Sequence, residues 1–226
     1  MTEVFDIVII GRGAAAFSAA IKASELTSGQ ASLAMIGFGP LGGTCVNVGC
    51  VPSKYIIEAA KVVHTLTNPK YPGIPPGVAK IDFRKLMASL KKTVLEERTE
   101  KYTNVLKLYD NIKVFEGRAT FIDRDKIAVK SGSEEIVVSG FNFIIATGSS
   151  TKINKIKGLQ ETGYLTSDNV WDINRVPQTL AVIGGGSIGL ELGQALSRLG
   201  SHVKIIKEHD TIMAGIEPDL GSSLME

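Results

Sequence analysis

The sequence has 226 residues, of which 44% are hydrophobic and 21% are charged, and its formal net charge is +2 at pH 7. Length and composition of this kind predict one or two globular domains with an ordinary core. The small net charge lacks the basic surplus that is typical of nucleic-acid binders, so we expect no nucleic-acid partner. The basic residues from Lys85 to Lys101, Arg98 among them, alternate with glutamates and predict a solvated helix face.

No membrane or export signal is expected. No apolar run approaches the length of about 20 residues that a membrane-spanning helix needs. The first residues include an apolar stretch, but no basic segment precedes it and Asp6 interrupts it, which argues against a signal peptide. The expected location is therefore cytoplasmic, where reducing conditions disfavour a lasting structural disulfide.

The first third of the chain predicts a βαβ unit followed by a second helix. Residues 4–10 form a continuous apolar, β-branched run, which is typical of a strand covered on both faces. A glycine turn, a helix of small residues at about 13–26 and a strand at 33–36 follow. A further helix is predicted at 51–66, because Pro52 is tolerated in a first turn. Residues 67–80 are rich in proline and glycine and predict a loop.

The middle of the chain predicts one long helix and then several short strands. The apolar spacing from Asp82 to about Tyr109 fits a single amphipathic helix that begins at Asp82. Residues 112–139 predict short strands with turns at 123–125 and 131–133. Residues 143–146 predict another buried strand, and a connector follows at 150–177.

The last part repeats the opening pattern, with a strand at 180–183, a glycine turn, a helix at 187–199 and a strand at 203–206. A repeated βαβ unit of this kind predicts an α/β fold with two Rossmann-like dinucleotide-binding units. We expect one domain at 1–150, with a helical insertion at about 51–109. Residues 151–226 would then form a linker and the first βαβ of a second domain.

The first glycine turn has the G-x-G-x-x-A arrangement of a phosphate-binding loop. Gly11 permits a tight turn, Gly13 lets the backbone approach a pyrophosphate, and Ala16 keeps the helix close to the strand. The helix N-terminus at Ala14 and Ala15 would face the anion. A motif of this kind, placed between a strand and a helix, favours a bound dinucleotide.

The second turn has the full G-x-G-x-x-G arrangement, with Gly184, Gly186 and Gly189, and Ile188 lies in the first turn of its helix. Its second strand ends near Lys207, where an acidic residue would select NADH. A lysine there, with His209 as a second candidate, favours the 2′-phosphate of NADPH over NADH.

The acidic residue that binds the adenosine ribose is missing from the first unit. It would fall at the end of the second strand, where the sequence has Gly37. We therefore expect either weaker adenosine binding or a neighbouring backbone group in its place.

The stretch "GGTCVNVGCVPSK" at residues 42–54 holds both cysteines, Cys45 and Cys50. They could form a structural disulfide, half of a metal site or a redox pair. Two cysteines supply at most half of a four-ligand zinc site, and the three histidines are not spaced to complete it. A predicted helix start lies beside them and favours the thiolate form. With two dinucleotide motifs in the same chain, the pair indicates electron transfer through a flavin.

This stretch resembles the redox-active signature of the class I pyridine nucleotide–disulfide oxidoreductases, and the resemblance runs over essentially the whole chain. "IIATGSS" is similar to the point where that family's chain leaves the FAD domain, and "GGGSIGLELGQALSRLG" is similar to its NAD(P)H motif. The resemblance implies a three-layer ββα FAD domain at 1–150 and the start of an NAD(P)H domain at 151–226. Among members, the mercuric reductases are most similar, through "GRGAAAFSAAIKA", Val46, "YLTSDNVW" and "LSRLGSHVKII".

The resemblance also implies the roles of individual residues, with FAD and NADPH as cofactors and NADH as the less favoured alternative. Cys45 would exchange with the substrate and Cys50 would face the flavin. Lys54 would lie beside the flavin, where its charge stabilises the reduced ring, and Glu191 would pair with it. Further flavin contacts are implied for Gly43, Thr44, Ala146, Thr147 and Gly148.

The implied function is a flow of electrons from NADPH through FAD to the Cys45–Cys50 disulfide. The resulting thiolates are soft ligands for Hg(II), which would leave as reduced metal. Dihydrolipoamide dehydrogenase, or another disulfide reductase, is the alternative within the family. Family enzymes are longer than 226 residues and form homodimers in which a C-terminal domain supplies a His–Glu pair to the partner. An inactive fragment, or one subunit of a split enzyme that needs a complementary chain, therefore stays open.

Overall fold

The computed structural model describes residues 2–208, 210–213 and 218–225. The chain folds into two compact units, and each unit combines two separate segments. The first unit consists of residues 1–49 and 93–163, and the second of residues 50–92 and 164–226. The assignment of these residues to an FAD domain and an NAD(P)H domain stays a prediction.

The described residues form eight strands in two sheets, and the first sheet contains the first six strands. The strands are β1 (Thr2–Ile10), β2 (Leu33–Gly37), β3 (Ile112–Glu116), β4 (Arg118–Asp123), β5 (Lys126–Ser131), β6 (Glu134–Ile145), β7 (Thr179–Ile183) and β8 (His202–Ile206). The six-stranded sheet has the order β3-β2-β1-β6-β5-β4, and β7 pairs with β8.

The helices are α1 (Ala14–Leu26), α2 (Gly43–Asn47), α3 (Cys50–Thr67), α4 (Phe83–Arg98), α5 (Asn104–Leu106), α6 (Leu159–Thr162), α7 (Ser187–Arg198) and α8 (Pro218–Ser223). They include those predicted from the sequence, together with the short helices α2, α6 and α8, which were not predicted. A π-helical turn at Thr99–Thr103 joins α4 to α5, and a 3₁₀ turn lies at Val170–Asp172. None of the described helices is long and apolar enough to cross a membrane.

The six-stranded sheet has a parallel half and an antiparallel half. Strands β1, β2, β3 and β6 pair in parallel, whereas β4, β5 and β6 pair antiparallel. The first four residues of β2 are buried, as expected for a strand covered on both faces. On one face, Ile9 and Met35 pack against Ala16 and Ala20 of α1.

The antiparallel strands cover the opposite face of the parallel strands. Ile127 of β5 clusters there with Ala34 and Ile36 of β2, although β1 and β6 separate these two strands in the sheet order. The sheet therefore curls back on itself, and each fully buried aliphatic side chain contributes about 1.5–3 kcal/mol. Antiparallel strands, parallel strands and α1 form the predicted three-layer ββα arrangement.

The second unit has the predicted second βαβ, with the parallel strands β7 and β8 joined by α7. Helix α7 buries Ala195 and Leu196, and α3 packs against it. The predicted bounds of this unit agree with the structure to within one residue. The α/β class with repeated βαβ units is confirmed.

Two predicted elements differ from the structure in detail. Residues 143–145 are the end of the 12-residue strand β6 and not a separate strand. The reason is that β6 pairs with β5 on one side and with β1 on the other, so both halves of the sheet share it. The predicted helix from Asp82 begins there, because the Asp82 carboxylate accepts a hydrogen bond from the Lys85 N–H at 3.0 Å. It contains the π-helical turn and ends at Leu106.

A reciprocal set of hydrogen bonds ties the start of β2 to β1. The Asp6 carboxylate accepts bonds from the Ser32 N–H at 2.7 Å and from the Ser32 hydroxyl at 2.8 Å. In return, the Asp6 N–H donates to the Ser32 hydroxyl oxygen at 3.1 Å. These bonds favour the ionised carboxylate, and the backbone N–H of Ser32 contributes most to lowering the pKa of Asp6 below its ordinary value.

We predict that Asp6→Asn lowers the melting temperature at pH 7. Because the pKa of Asp6 is lower in the folded state, its stabilising contribution is present at neutral pH and is lost as the pH falls through the folded value. The difference in melting temperature between parent and variant should shrink as the pH falls below about 4. Thermal unfolding followed by circular dichroism from pH 7 to pH 3 measures both effects, and a difference that widens at low pH would contradict them.

Candidate active site

The first glycine turn is held by both strands that flank β1. Gly11 has φ +143°, and a Cβ atom on it would lie 2.1 Å from the carbonyl oxygen of Ala146. The Gly11 N–H donates to the Ile36 carbonyl at 2.7 Å, and the Ala146 N–H donates to the Ile10 carbonyl at 2.8 Å. Only glycine fits Gly11's position, so the residue predicted for the tight turn has that role.

The N-terminus of α1 is open to an anion. Gly13 is the extended N-cap residue, and no described side chain caps the helix. No acidic residue occupies the first turn, where Ala14 and Ala15 are exposed, whereas Ala16 is fully buried against the sheet. Unpaired N–H groups and the helix dipole favour a phosphate at such an end. The turn therefore fits the diphosphate of a dinucleotide.

The residues after β6 end near the same turn. Ala146 is bonded to β1 as described, and Thr147 and Gly148 are exposed. Gly148 has φ +72°, and nothing lies within 4 Å of the position that its Cβ would take. The structure therefore leaves space beside this predicted diphosphate contact.

The end of β2 is the position at which a ribose-binding acid would be expected, and the sequence has Gly37 there. A Cβ atom on Gly37 would lie 2.6 Å from Cγ of Arg12, so the arginine side chain occupies the place of a side chain at that position. The guanidinium of Arg12 lies 3.5 Å from the carboxylate of Glu116, the last residue of β3. We did not predict this pair from the sequence, although an arginine inside a glycine motif was a visible signal.

Cys45 lies on the short helix α2, which the side chain of Asn47 closes. The Asn47 amide donates to the carbonyls of Leu41 and Gly43 at 2.7 and 2.8 Å. Its carbonyl oxygen accepts a bond from the Arg98 guanidinium at 3.0 Å. The expectation that Arg98 belongs to a solvated face is therefore wrong, because its side chain turns inward to Asn47.

Aromatic packing fixes the same loop to α1. Gly42 has φ +89°, and a Cβ atom there would lie 2.4 Å from Val46 and 2.9 Å from Tyr102. The Tyr102 ring contacts the Phe17 ring edge-on, with centroids 4.8 Å apart. A backbone bridge joins Gly42 to Gly13, and a Cβ atom on Gly43 would lie 2.7 Å from the Gly13 Cα. The loop before Cys45 thus runs directly beside the predicted phosphate turn, and Thr44 is exposed there.

Cys50 begins the 18-residue helix α3 in the second unit. Both Cys45 and Cys50 expose their side chains, so each can meet a reactant from solvent. The described residues contain no cluster of three or more histidine, cysteine or acidic side chains that could hold a resident metal.

Lys54 lies four residues after Cys50 on α3 and pairs with Glu191 of α7. The ammonium nitrogen is 2.9 Å from both carboxylate oxygens. The two residues are 137 positions apart, and both side chains are about half exposed, at 61% and 45%. Exposed ion pairs contribute little to stability, so this one fixes the position of Lys54 more than it holds the unit together.

The second glycine turn is also open. Gly184 has φ +110°, and no atom of the described residues lies within 4 Å of the Cβ positions of Gly184 and Gly186. Gly186 is the N-cap of α7, and no described side chain caps that helix. A Cβ atom on Gly189 would lie 3.0 Å from Val182, so this glycine lets the helix approach β7. Ile188 is exposed in the first turn.

The predicted 2′-phosphate ligand lies just beyond β8. Lys207 is exposed, and its ammonium group donates to the backbone carbonyl of Asp210. His209, the second candidate for this role, lies outside the described residues. The following segment returns to the glycine turn, where the Met213 N–H donates to the Gly185 carbonyl at 2.8 Å.

We predict that Asn47→Ala destabilises the first unit by about 1–2 kcal/mol, because two carbonyls and a guanidinium lose their partner. Asn104→Ala is the matched control, since the exposed Asn104 accepts only a 3.3 Å bond from Lys107, and its change should stay within about 0.5 kcal/mol. Urea unfolding measures both values. Equal changes in the two variants would show that Asn47 does not hold the loop.

Comparison with known proteins agrees with this geometry. Residues 5–226 match the family model of pyridine nucleotide-disulphide oxidoreductases. The chain is 36% identical over 220 residues to mercuric reductase of Lysinibacillus sphaericus and 38% identical over 222 residues to mercuric reductase of Serratia marcescens. These matches cover 97% of this chain in both cases, but 39% and 47% of the relatives.

A solved structure shows the same fold. The HOCl-induced flavoprotein disulfide reductase RclA from Escherichia coli aligns with a TM-score of 0.81 at 24% identity, covering 98% of this chain and 46% of RclA. The chain thus spans less than half the length of each of these proteins. The match over residues 5–226, together with the two glycine turns and the cysteine pair, shows that the chain belongs to the pyridine nucleotide-disulphide oxidoreductase family.

Proposed function

We propose that this chain is the part of a mercuric reductase-like enzyme that binds FAD and NADPH and carries the redox disulfide. The observation that carries the proposal is the combination, in one chain, of two open glycine turns and two exposed cysteines at residues 45 and 50. The similarity to mercuric reductases over 97% of the chain supports Hg(II) as the substrate.

The first unit would hold FAD through backbone groups. Gly11, Gly13 and the first-turn N–H groups of Ala14 and Ala15 are available to the diphosphate. Other flavin contacts would come from residues whose backbone lies beside this turn or is exposed near it. They are Gly43, Thr44, Ala146, Thr147 and Gly148.

The second unit would hold NADPH and provide the charged side chain for the flavin. Gly184, Gly186 and the N-terminus of α7 fit a second diphosphate. Glu191 fixes Lys54 through two contacts of 2.9 Å, so the ammonium would be held in place before the flavin becomes reduced.

Bound FAD would supply the two-electron chemistry that connects NADPH with the cysteine pair. The pair takes up two electrons, so the Cys45–Cys50 S–S bond breaks and yields two thiolates, which bind Hg(II) as soft ligands. Hg(II) then gains the two electrons and leaves as Hg(0), while the S–S bond forms again. Cys45 would exchange with the substrate and Cys50 would face the flavin.

Two alternatives lead to different measurements. A dihydrolipoamide dehydrogenase, or another disulfide reductase, would oxidise NADPH or NADH with lipoamide or glutathione disulfide and not with Hg(II). A chain that works with a second copy of itself would be active as a homodimer. A chain that needs a different, complementary chain would bind FAD but show no turnover when it is purified without that chain. Size-exclusion chromatography with light scattering would then show whether the active species is a homodimer or a complex of two different chains.

The central prediction concerns the flavin spectrum. The purified chain with FAD should gain a long-wavelength thiolate–flavin absorption band when dithiothreitol reduces it without oxygen. Cys50→Ser should abolish the band, because the thiol that faces the flavin is gone. Cys45→Ser should show it without reductant, because Cys50 can no longer form the disulfide.

Hg(II)-, lipoamide- and glutathione disulfide-dependent NADPH oxidation then identifies the substrate. A chain that binds no FAD, or that gives the same spectrum in both cysteine variants, would overturn the proposal. A normal band without turnover would favour the alternative of a split enzyme.

A second prediction concerns the nicotinamide cofactor. Lys207→Glu should weaken binding of adenosine 2′,5′-bisphosphate by about fivefold to tenfold, because a charged partner of the 2′-phosphate is lost. Binding of AMP, which lacks that phosphate, should change little. Lys204→Glu makes the same charge change at an exposed position of β8 and is the control. Isothermal titration calorimetry of the parent and of both variants with each ligand measures these changes. Equal losses of affinity in both lysine variants would exclude a specific role for Lys207.

A further inference from the structure

Arg12 is a largely buried arginine within the first glycine turn. It lies between the two glycines of the phosphate turn, and its side chain is only 12% exposed. The side chain crosses the end of β2, since a Cβ atom on Gly37 would meet its Cγ at 2.6 Å and its Cδ at 3.1 Å. Arg12 thus fills the space in which family members place an acid for the adenosine ribose.

The guanidinium has donors that the described part of the chain does not satisfy. Nε and Nη1 are both buried, and neither makes a hydrogen bond to any described residue. Glu116 lies 3.5 Å from Nη1 but is out of hydrogen-bonding geometry, and its side chain is 69% exposed. Buried N–H donors without acceptors are rare, because each one loses its bond to water. Two of them on one guanidinium indicate a missing acceptor at this position.

Register places the two charged residues at one edge of the sheet. Gly37 and Glu116 are direct partners at the ends of β2 and β3, and Arg12 follows β1, the next strand. In a parallel sheet, the carboxyl ends of neighbouring strands are where nucleotides bind. The three residues therefore surround the place that an adenosine ribose takes next to a diphosphate on α1.

We propose that Arg12 and Glu116 replace the missing acid and recognise the adenosine end of FAD. A rotation of the Arg12 side chain would bring its guanidinium to the adenosine ribose, to which it would donate hydrogen bonds, and the exposed Glu116 carboxylate would accept one from a ribose hydroxyl. This inference rests on the proposed FAD site and assigns its adenosine specificity to two side chains. It replaces our expectation that adenosine binding is weak or depends on the backbone alone.

The test compares FAD with FMN, which has the same flavin ring and one phosphate but no adenosine. Flavin fluorescence quenching gives the dissociation constant of each for the 226-residue chain. Arg12→Ala should weaken FAD binding by about tenfold or more, since hydrogen bonds from a charged donor are lost. FMN binding should stay within about twofold of the parent. Arg84→Ala removes an exposed arginine of α4 and should alter neither constant.

A residue swap provides the second arm. Gly37→Glu alone should weaken FAD binding, because its Cβ collides with Arg12. Combined with Arg12→Ala, the contacts with Cγ and Cδ are removed and only a 3.2 Å contact with the Gly11 backbone is left, so a small shift accommodates the new glutamate and should restore FAD affinity to within a few-fold of the parent. Such a rescue would show that the two side chains serve the same ligand group, since a merely structural arginine would not be replaced by an acid.

The outcomes separate this inference from the proposed function. If the parent chain binds neither flavin, the FAD proposal itself fails. If Arg12→Ala binds FAD as tightly as the parent, Arg12 does not recognise adenosine. If the variant loses FAD and FMN to the same extent, Arg12 acts on the shared part of the two ligands or on the fold, which also overturns the assignment.

Discussion

The close approach of Ala146 to Gly11 is the constraint on which the first unit depends. With 2.1 Å between that carbonyl oxygen and a virtual Cβ, β1 can end at this turn only if residue 11 is a glycine. The contact lets β6 pair with β1 along most of its length, and β6 also carries the antiparallel strands. The same turn begins α1 with an open N-terminus. One missing side chain therefore joins the architecture of the sheet to the anion site.

The segment around Cys45 is fixed by polar and aromatic contacts on both sides of the cysteine, some of them with residues far along the chain. Asn47 closes α2 on itself, and Arg98 connects it to the end of α4. Tyr102 and Phe17 hold the preceding glycine loop on α1. These contacts hold the backbone around Cys45 while its side chain is exposed. Exposure is one of the conditions for thiol reactivity.

Those features that have a characteristic apolar period or a glycine motif could be predicted from the sequence alone. Both βαβ units, their glycine turns and the helix after Asp82 were predictable, since apolar spacing and glycine positions report them directly. The continuity of β6 could not be predicted. Whether the chain turns or continues as a strand before Phe143 depends on pairing with β1, which is distant in the sequence. The hydrogen bond of Arg98 could not be predicted either. The charge pattern around Arg98 is typical of a solvated face, and its partner, Asn47, is 51 positions away. The role of Arg12 was not predicted, because the motif specifies the two glycines and leaves the residue between them open.

The position of Arg12 has a consequence for how cofactor binding and stability are connected. A guanidinium with two buried, unpaired N–H groups destabilises the chain without a ligand, and the exposed Glu116 carboxylate, 3.5 Å away, offsets only part of that effect. A ligand that supplies the missing acceptors regains this free energy on binding, in addition to its own contacts. Since any ligand of the folded state stabilises it, FAD should raise the stability of this chain more than a flavin without adenosine at equal saturation. A family member with an ordinary acid at this position would have no such buried donors to satisfy. If Arg12 holds the adenosine ribose as proposed, the arginine in place of an acid makes the stability of the fold depend more strongly on the adenosine half of the cofactor.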